Sequence, residues 1–244
     1  MRPLAFAARS LRREFRHAEL ATLAMALVLA VAAMAAVATL AARVERALVA
    51  SAAELIGGDL ALGASRPLPA ELAEEARRRG LATNRLAEFP SVLFANERSR
   101  LCDVRASDAA FPLRGALSVR DVDGVERAAH APPSGSIYAD HAALVALDVA
   151  VGARVQLGGR DLLVAGEIAK APDSGNPFRI APRVIMNIAD AEAIGLLGTG
   201  SRAGHRLLVA GDVDAVAAFA AWAGSHLPAG ARITTVQDAQ QNLR

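Results

Sequence analysis

The sequence predicts an α+β fold carried on a membrane anchor, and three observations support that expectation. An uncharged run from Leu20 to Ala42 is long enough to cross a bilayer, strand-helix-strand patterns recur early and late in the chain, and the stretch between them alternates around tight glycine turns. The 244 residues leave room for one span and one or two ectodomains of ordinary size.

The uncharged run comes first. Its 23 residues, bracketed by Glu19 and Arg43, make a helix of roughly 35 Å, enough for a hydrocarbon core of about 30 Å. Nearly half of it is alanine, so the Leu, Val and Met side chains must drive insertion, with no charge opposing them. Arg2, Arg9, Arg12, Arg13 and Arg16 precede the span against Glu14 and Glu19, whereas Arg43, Glu45, Arg46 and Glu54 after it nearly cancel. Positive flanks stay inside, so residues after 42 are expected outside.

Two other readings compete. Val49-Ala50-Ser51-Ala52 resembles a signal-peptidase site, but signal cores run about 7–15 residues, which favours a retained anchor. A buried helix of a soluble protein would need a very large core around it.

Residues 1–19 can form a basic amphipathic helix at the headgroup layer or serve simply as a charged retention signal. Small-residue pairs such as Ala26 with Ala30 and Ala32 with Ala36 would let other transmembrane helices approach. Beyond the span, Val44, Leu48 and Leu55 continue the helical pattern through residues 43–57 as a stiff stalk that stops at Gly57-Gly58.

A short strand is expected at Asp59–Leu62, then a helix opened by Pro67 and Pro69 and ended by Gly80. Strands at Leu86–Ala95 and Arg100–Ala106 follow across the turn Asn96–Ser99, placing Cys102 inward as a small hydrophobe. A second unit comes late: a strand at Arg206–Ala210, a helix capped by Asp212 or Asp214 and running to about Leu227 with Phe219 and Trp222 in the core, and a strand at Arg232–Val236. Side by side, two such units give an antiparallel sheet with helices on one face. Between them the pattern suggests a helix from Tyr138 to Leu147, a hairpin about Gly158-Gly159, a strand at Arg183–Asn187 and a short helix at Ala189–Leu197.

Composition excludes several functions. A net charge of +2, with the basic excess largely before residue 20, offers no footprint for nucleic acid. One cysteine permits no intrachain disulfide and no zinc-thiolate site, and no GxxxxGK[ST], HExxH or paired-Cys motif occurs. The five histidines are scattered; Asp140-His141 near Ser134 and Ser136 is the nearest approach to a nucleophile set, and adjacent side chains on a helix point apart. No catalytic, cofactor-binding or metal-binding residue is therefore assigned. Asp173, Ser174, Gly175, Asn176, Pro177 and Phe178 form a turn-rich loop.

The runs Arg43–Leu48, Ala52–Leu60 and Ser65–Pro69, then Phe111-Pro112-Leu113-Arg114-Gly115, Gly158–Glu167, Pro172–Phe178, Ala181–Arg183, Met186–Asp190, Gly200–Arg202 and Arg206–Gly211 resemble, in order, the YbbP-type permeases of the FtsX/MacB/LolC superfamily. The resemblance implies a porter-like split β-α-β periplasmic domain (58–115 and 201–237) carrying a small mostly-β inserted subdomain (116–200), with 238–244 leading toward a second span. It also implies a bacterial inner-membrane subunit of an ABC transporter, partnered by a cytoplasmic ATPase, other transmembrane helices and lipids, and acting on a lipid, lipoprotein or other hydrophobic substrate. It marks 173–178 as a contact loop. Relatives continue into further spans, so the chain is expected to be the N-terminal fragment of such a permease; the alternative is a single-pass sensor or scaffold whose ectodomain binds a ligand or partner protein.

Alkaline carbonate should leave the full chain in the membrane pellet and dissolve a version beginning near Ala50; release of the intact chain refutes the anchor.

Overall fold

A computed structural model describes residues 18–172, 181–198, 200–236 and 238. The chain divides into two compact units, residues 1–48 and 49–244.

The first unit consists, as far as it is described, of most of helix α1, which runs from Ala18 to Ile56 without a break. Its window Thr22–Val44 is long and apolar enough to cross a membrane, and none of that window is buried against protein. Leu23, Met25, Leu29, Met34 and Val37 are all exposed, so the soluble-core reading fails.

The second unit begins in the last turns of α1. Gly57 takes a left-handed conformation (φ 77°) and ends the helix in a Schellman arrangement: Gly58 N–H donates to Ala53 O (3.2 Å) and Gly57 N–H to Glu54 O (3.1 Å). Thereafter come β1 (Leu60–Ala64), α2 (Ala70–Arg78), β2 (Ala82–Ala95), β3 (Arg98–Ser107), β4 (Leu117–Arg120), β5 (Glu126–Ala129), β6 (Ser136–Ala139), α3 (His141–Leu147), β7 (Arg154–Leu157), β8 (Arg160–Lys170), β9 (Arg183–Asn187), α4 (Ile188–Ala193), β10 (Gly204–Ala210), α5 (Val213–Gly224) and β11 (Arg232–Thr235).

One mixed sheet links these strands in the order β11-β1-β10-β2-β3-β9-β6-β8-β4-β5, and β7 bridges β2 and β8. From β11 to β3 every pairing is antiparallel. Alternation along these strands buries side chains on either face of the sheet. Leu60, Leu62, Leu207 and Val209 meet α2 and α5 through Leu72, Ala76, Phe219 and Ala223, so both helices cover the same face. The opposite side chains, Ala61 and Leu208, join Ile56, Leu86, Phe111 and Ile185 in a second cluster. Asp212 caps α5, accepting from Asp214 N (3.0 Å) and Ala215 N (3.3 Å).

β2 and β3 outrun that sheet and enter a closed ring. Around it β2 pairs β3, β3 pairs β9, β9 pairs β6, β6 pairs β8, β8 pairs β7, and Leu93–Leu157 with Phe94–Gln156 returns β7 to β2. The β3–β9 and β6–β8 pairs are parallel, so the whole sheet is mixed. Leu93, Cys102, Val104, Ile137, Leu157, Val164 and Val184 fill the inside, with Leu144 and Leu147 of α3 and Ile188 and Ala191 of α4 added to the same core. On β2, Leu86 is flanked by Ser107 of β3 on one side and Arg206 of β10 on the other.

Several elements differ from the sequence expectation. Tyr138 does not begin a helix; Ser136–Ala139 is a strand, and α3 starts after Asp140. All four residues of β6 are buried, since Ile137 faces the ring interior and Tyr138 the second cluster. A strand covered on both faces has no alternation to betray it. β4 and β5 are additions to the expected set, β2 starts at Ala82 instead of Leu86, and α4 and α5 stop at Ala193 and Gly224. Trp222 is only half-buried, stacked on His226 (4.2 Å between ring centres) with the Arg79 guanidinium 5.7 Å from its own.

Two outcomes follow from the ring. Leu93→Ala, at a side chain 1% exposed, should lower the unfolding free energy by about 2–5 kcal/mol. Phe94→Ala, on the outer face and 50% exposed, should change it by less than about 1 kcal/mol, both measured by urea titration. Burial pushes the Cys102 thiol from 9.0 up to about 11, so native protein at pH 8 should resist iodoacetamide until unfolded. The unfolded thiol ionises first, so this group's contribution to stability is lost as pH rises from 9.0 to about 11.

Candidate functional site: the junction at the end of the first helix

Polar contacts concentrate where α1 ends. The Gly57 carbonyl, oriented by the left-handed turn, accepts from Leu113 N (3.2 Å) and Arg114 N (3.1 Å). Two residues on, Asp59 takes a two-pronged grip from Arg114 (Nε 2.9 Å, Nη2 2.7 Å) and a third hydrogen bond from Gly211 N (2.9 Å). Asp59 holds the Arg114 guanidinium above its ordinary pKa, chiefly through these hydrogen bonds. Thus the 111–115 segment, the start of β1 and the residue after β10 meet at one carboxylate.

Glu54, in the last turn of α1, pairs with Lys170 at the end of β8 (2.8 Å). Gly115 lies under that glutamate: a Cβ there would come within 2.6 Å of Glu54 Cγ, and the glycine's φ is 82°. Only a residue without a side chain lets the loop approach the helix so closely.

Beyond Lys170 the chain passes Ala171 and Pro172. The Pro172 carbonyl accepts from Arg105 Nη1 (2.8 Å). Arg105 is 6% exposed; its other nitrogens bind Glu88 Oε1 (2.9 and 2.6 Å), its guanidinium sits 5.7 Å from the Phe111 ring centre, and Arg206 reaches the second oxygen of Glu88 (3.3 Å). A buried guanidinium is tolerated because its donors are matched by a carboxylate and a carbonyl.

The residues singled out from the sequence fall as follows. Asp173, Ser174, Gly175, Asn176, Pro177 and Phe178 lie outside the described residues, between Pro172 and Ala181. Leu20 and Ala42 lie within α1. Ser134, Ser136, Asp140 and His141 are tied to separate partners. Ser134 donates to Asp190 (2.5 Å), Ser136 to Pro133 O (2.7 Å), Asp140 accepts from Arg183 N (2.6 Å), and His141 meets Glu167 (3.2 Å). None of these contacts is a hydroxyl–imidazole pair. Among the described residues no group of three His, Cys, Asp or Glu is placed to hold a metal.

Sequence reasoning missed Glu54, Asp59, Glu88, Arg105 and Arg114. Arg105 alternates with the inward Val104 and Ala106, so it reads as solvent-facing; Phe111 folds back over it from just past β3, and Pro172 comes from distant chain.

An open cleft of about 180 Å³ lies between the start of α2, β10 and α4, lined by Pro67, Pro69, Arg85, Glu192, His205 and Arg206 among others. Arg85 crosses it, pairing Asp108 and Glu192 at 3.0 Å each, and hydrogen bonding to Asp108 raises its pKa. Burial lowers that of His205. With Arg206 on Glu88, these arginines already have carboxylate partners, and the cleft carries no excess of positive charge for an anion.

No protein-family model matches the chain. Over 211 residues, 86% of its length, it is 33% identical to the uncharacterized ABC transporter permease YbbP of Escherichia coli (strain K12), and spans 26% of that protein. Its fold is similar to the periplasmic region of MacB from Actinobacillus actinomycetemcomitans (TM-score 0.53, 13% identity, covering 78% of this chain and 95% of that one). The extracellular domain of the noncanonic ABC-type transporter YknZ from Gram-positive bacteria aligns at a TM-score of 0.47 and 10% identity, over 72% of this chain and 100% of that one. Over most of its length the chain is thus related in sequence to about a quarter of a protein named as an ABC transporter permease, and its fold is similar to that of the MacB periplasmic region.

Proposed function

We propose that this chain is the first-span and periplasmic portion of a permease in a bacterial inner membrane, with residues 1–19 in the cytoplasm and those after 42 in the periplasm. On this reading a cytoplasmic ATPase partners the complete permease, and hydrolysis drives periplasmic handling or export of a lipid, lipoprotein or other hydrophobic substrate. The ectodomain divides, in the same proposal, into a porter-like subdomain (58–115 with 201–237) and an inserted one (116–200), and the loop 173–178 is a contact surface.

One observation carries the reading. α1 is a single helix from Ala18 to Ile56, apolar over Thr22–Val44 and ending at the Asp59–Arg114 and Glu54–Lys170 contacts. A helix resists axial compression, so a rod of this kind suits the transfer of displacement along its length. The arginines before the span support the orientation.

The test is co-purification. A complete permease containing this chain, extracted in mild detergent, should bring down an ABC ATPase and change its ATP turnover. Recovery without any ATPase, together with saturable capture of a ligand by the ectodomain alone, is the result expected of a membrane-anchored sensor and would overturn the transport reading.

A further inference from the structure

Covalently, α1 leads only into β1. Its end makes contacts elsewhere: the Glu54 side chain to Lys170 at the end of β8, and the backbone carbonyl of Gly57, just past the helix, to the 113–114 backbone. From Lys170 two residues of chain lead to Pro172, whose carbonyl is held by Arg105 of β3; Arg105 holds Glu88 of β2, and Glu88 meets Arg206 of β10. Apart from that stretch of chain each link is a hydrogen bond or ion pair between 2.6 and 3.3 Å, and Lys170, Arg105, Glu88 and Arg206 lie on four different strands.

We propose that Lys170 is a positioning residue that fastens the end of α1 to the strand ring, so that the ring follows the helix through β8 as well as through β1. Glu54 is its counterpart and Arg105 the next link. Gly115 keeps the geometry by leaving room for Glu54, which a side chain at that position would displace from Lys170. Pro172 is held from both sides: Arg105 binds its carbonyl, and its ring carbon lies 4.0 Å from where a Gly57 side chain would begin. Residue 170 is therefore held by the helix end through Glu54, and residue 172 by Arg105 of β3.

The ion pair is partly exposed, Glu54 at 38% and Lys170 at 57%, so its local effect is modest and its signature is coupling rather than global stability. The meaning of the clamp for transport rests on the permease reading above; its existence does not, and two arms of one experiment keep them apart.

In the first arm, hydrogen exchange is followed on the full chain in lipid nanodiscs. Glu54→Gln and Lys170→Gln should each speed amide exchange at 166–171 and 103–107 by about two- to fivefold, the range of a partly exposed pair. The double variant should do no more than either single one, and both Lys170→Arg and the swapped pair Glu54→Lys with Lys170→Glu should restore protection. Changes confined to residues 51–58, additive single effects, or failure of the swap to restore protection would overturn the proposal. A urea midpoint unchanged in all variants guards against general loosening.

In the second arm the complete permease with its ATPase is compared with and without nucleotide. A nucleotide-dependent change at 166–171 that Glu54→Gln abolishes supports the clamp, and one that survives Glu54→Gln overturns it. An ATPase that never engages the permease tells against the transport reading, and the first arm still decides the clamp.

Discussion

The antiparallel ladder between β2 and β3, unbroken from Leu86–Ser107 to Ala95–Arg98, is the constraint on which the folded unit after α1 depends. At its lower end these strands continue a sheet that packs α2 and α5 on one face. At its upper end they supply two staves of a closed ring. Because neighbouring residues on a strand point to opposite faces, the register that buries Val104 in the ring sets Arg105 against Phe111 and Pro172. A slip of one residue would empty the ring and bury the wrong side chains on both sides at once.

Much of the architecture was legible because local chemistry and tertiary role agreed. The capping of α5 by Asp212, the stop at Gly57-Gly58 and the hairpin through Gly158-Gly159, both of positive φ, are each written in short stretches of chain. What escaped was what remote chain decides. β6 hid because Ile137 and Tyr138 are covered from two sides, leaving an apolar run that a helix could equally claim. The ring closure rests on Leu93 meeting Leu157 from far along the chain, a pairing no local periodicity encodes. The carboxylates and arginines of the junction, Glu54, Asp59, Glu88, Arg105 and Arg114, were not singled out. Charged residues in strands and helix ends look like ordinary surface until their partners are known.

At the junction the strength of the contacts is graded. Arg114 on Asp59 is a two-pronged, charge-assisted grip, and Arg105 on Glu88 is a largely buried pair whose rupture would strand a charge. Glu54 on Lys170 is open to water and weak by comparison. Such an order holds β1 firmly at the helix end and β3 on β2, and leaves the β8 attachment as the one that yields at least cost.

Leu86 sits between Ser107 and Arg206, so the point where the chain departs from the five-stranded sheet and the point where it comes back flank a single strand. Two inter-strand spacings amount to about 10 Å. A guest segment whose ends are that near one another can grow, shrink or be exchanged with little strain on its host. The stretch from 108 to 203 leaves and rejoins the sheet in this way, so changes in its length put little strain on the two exits.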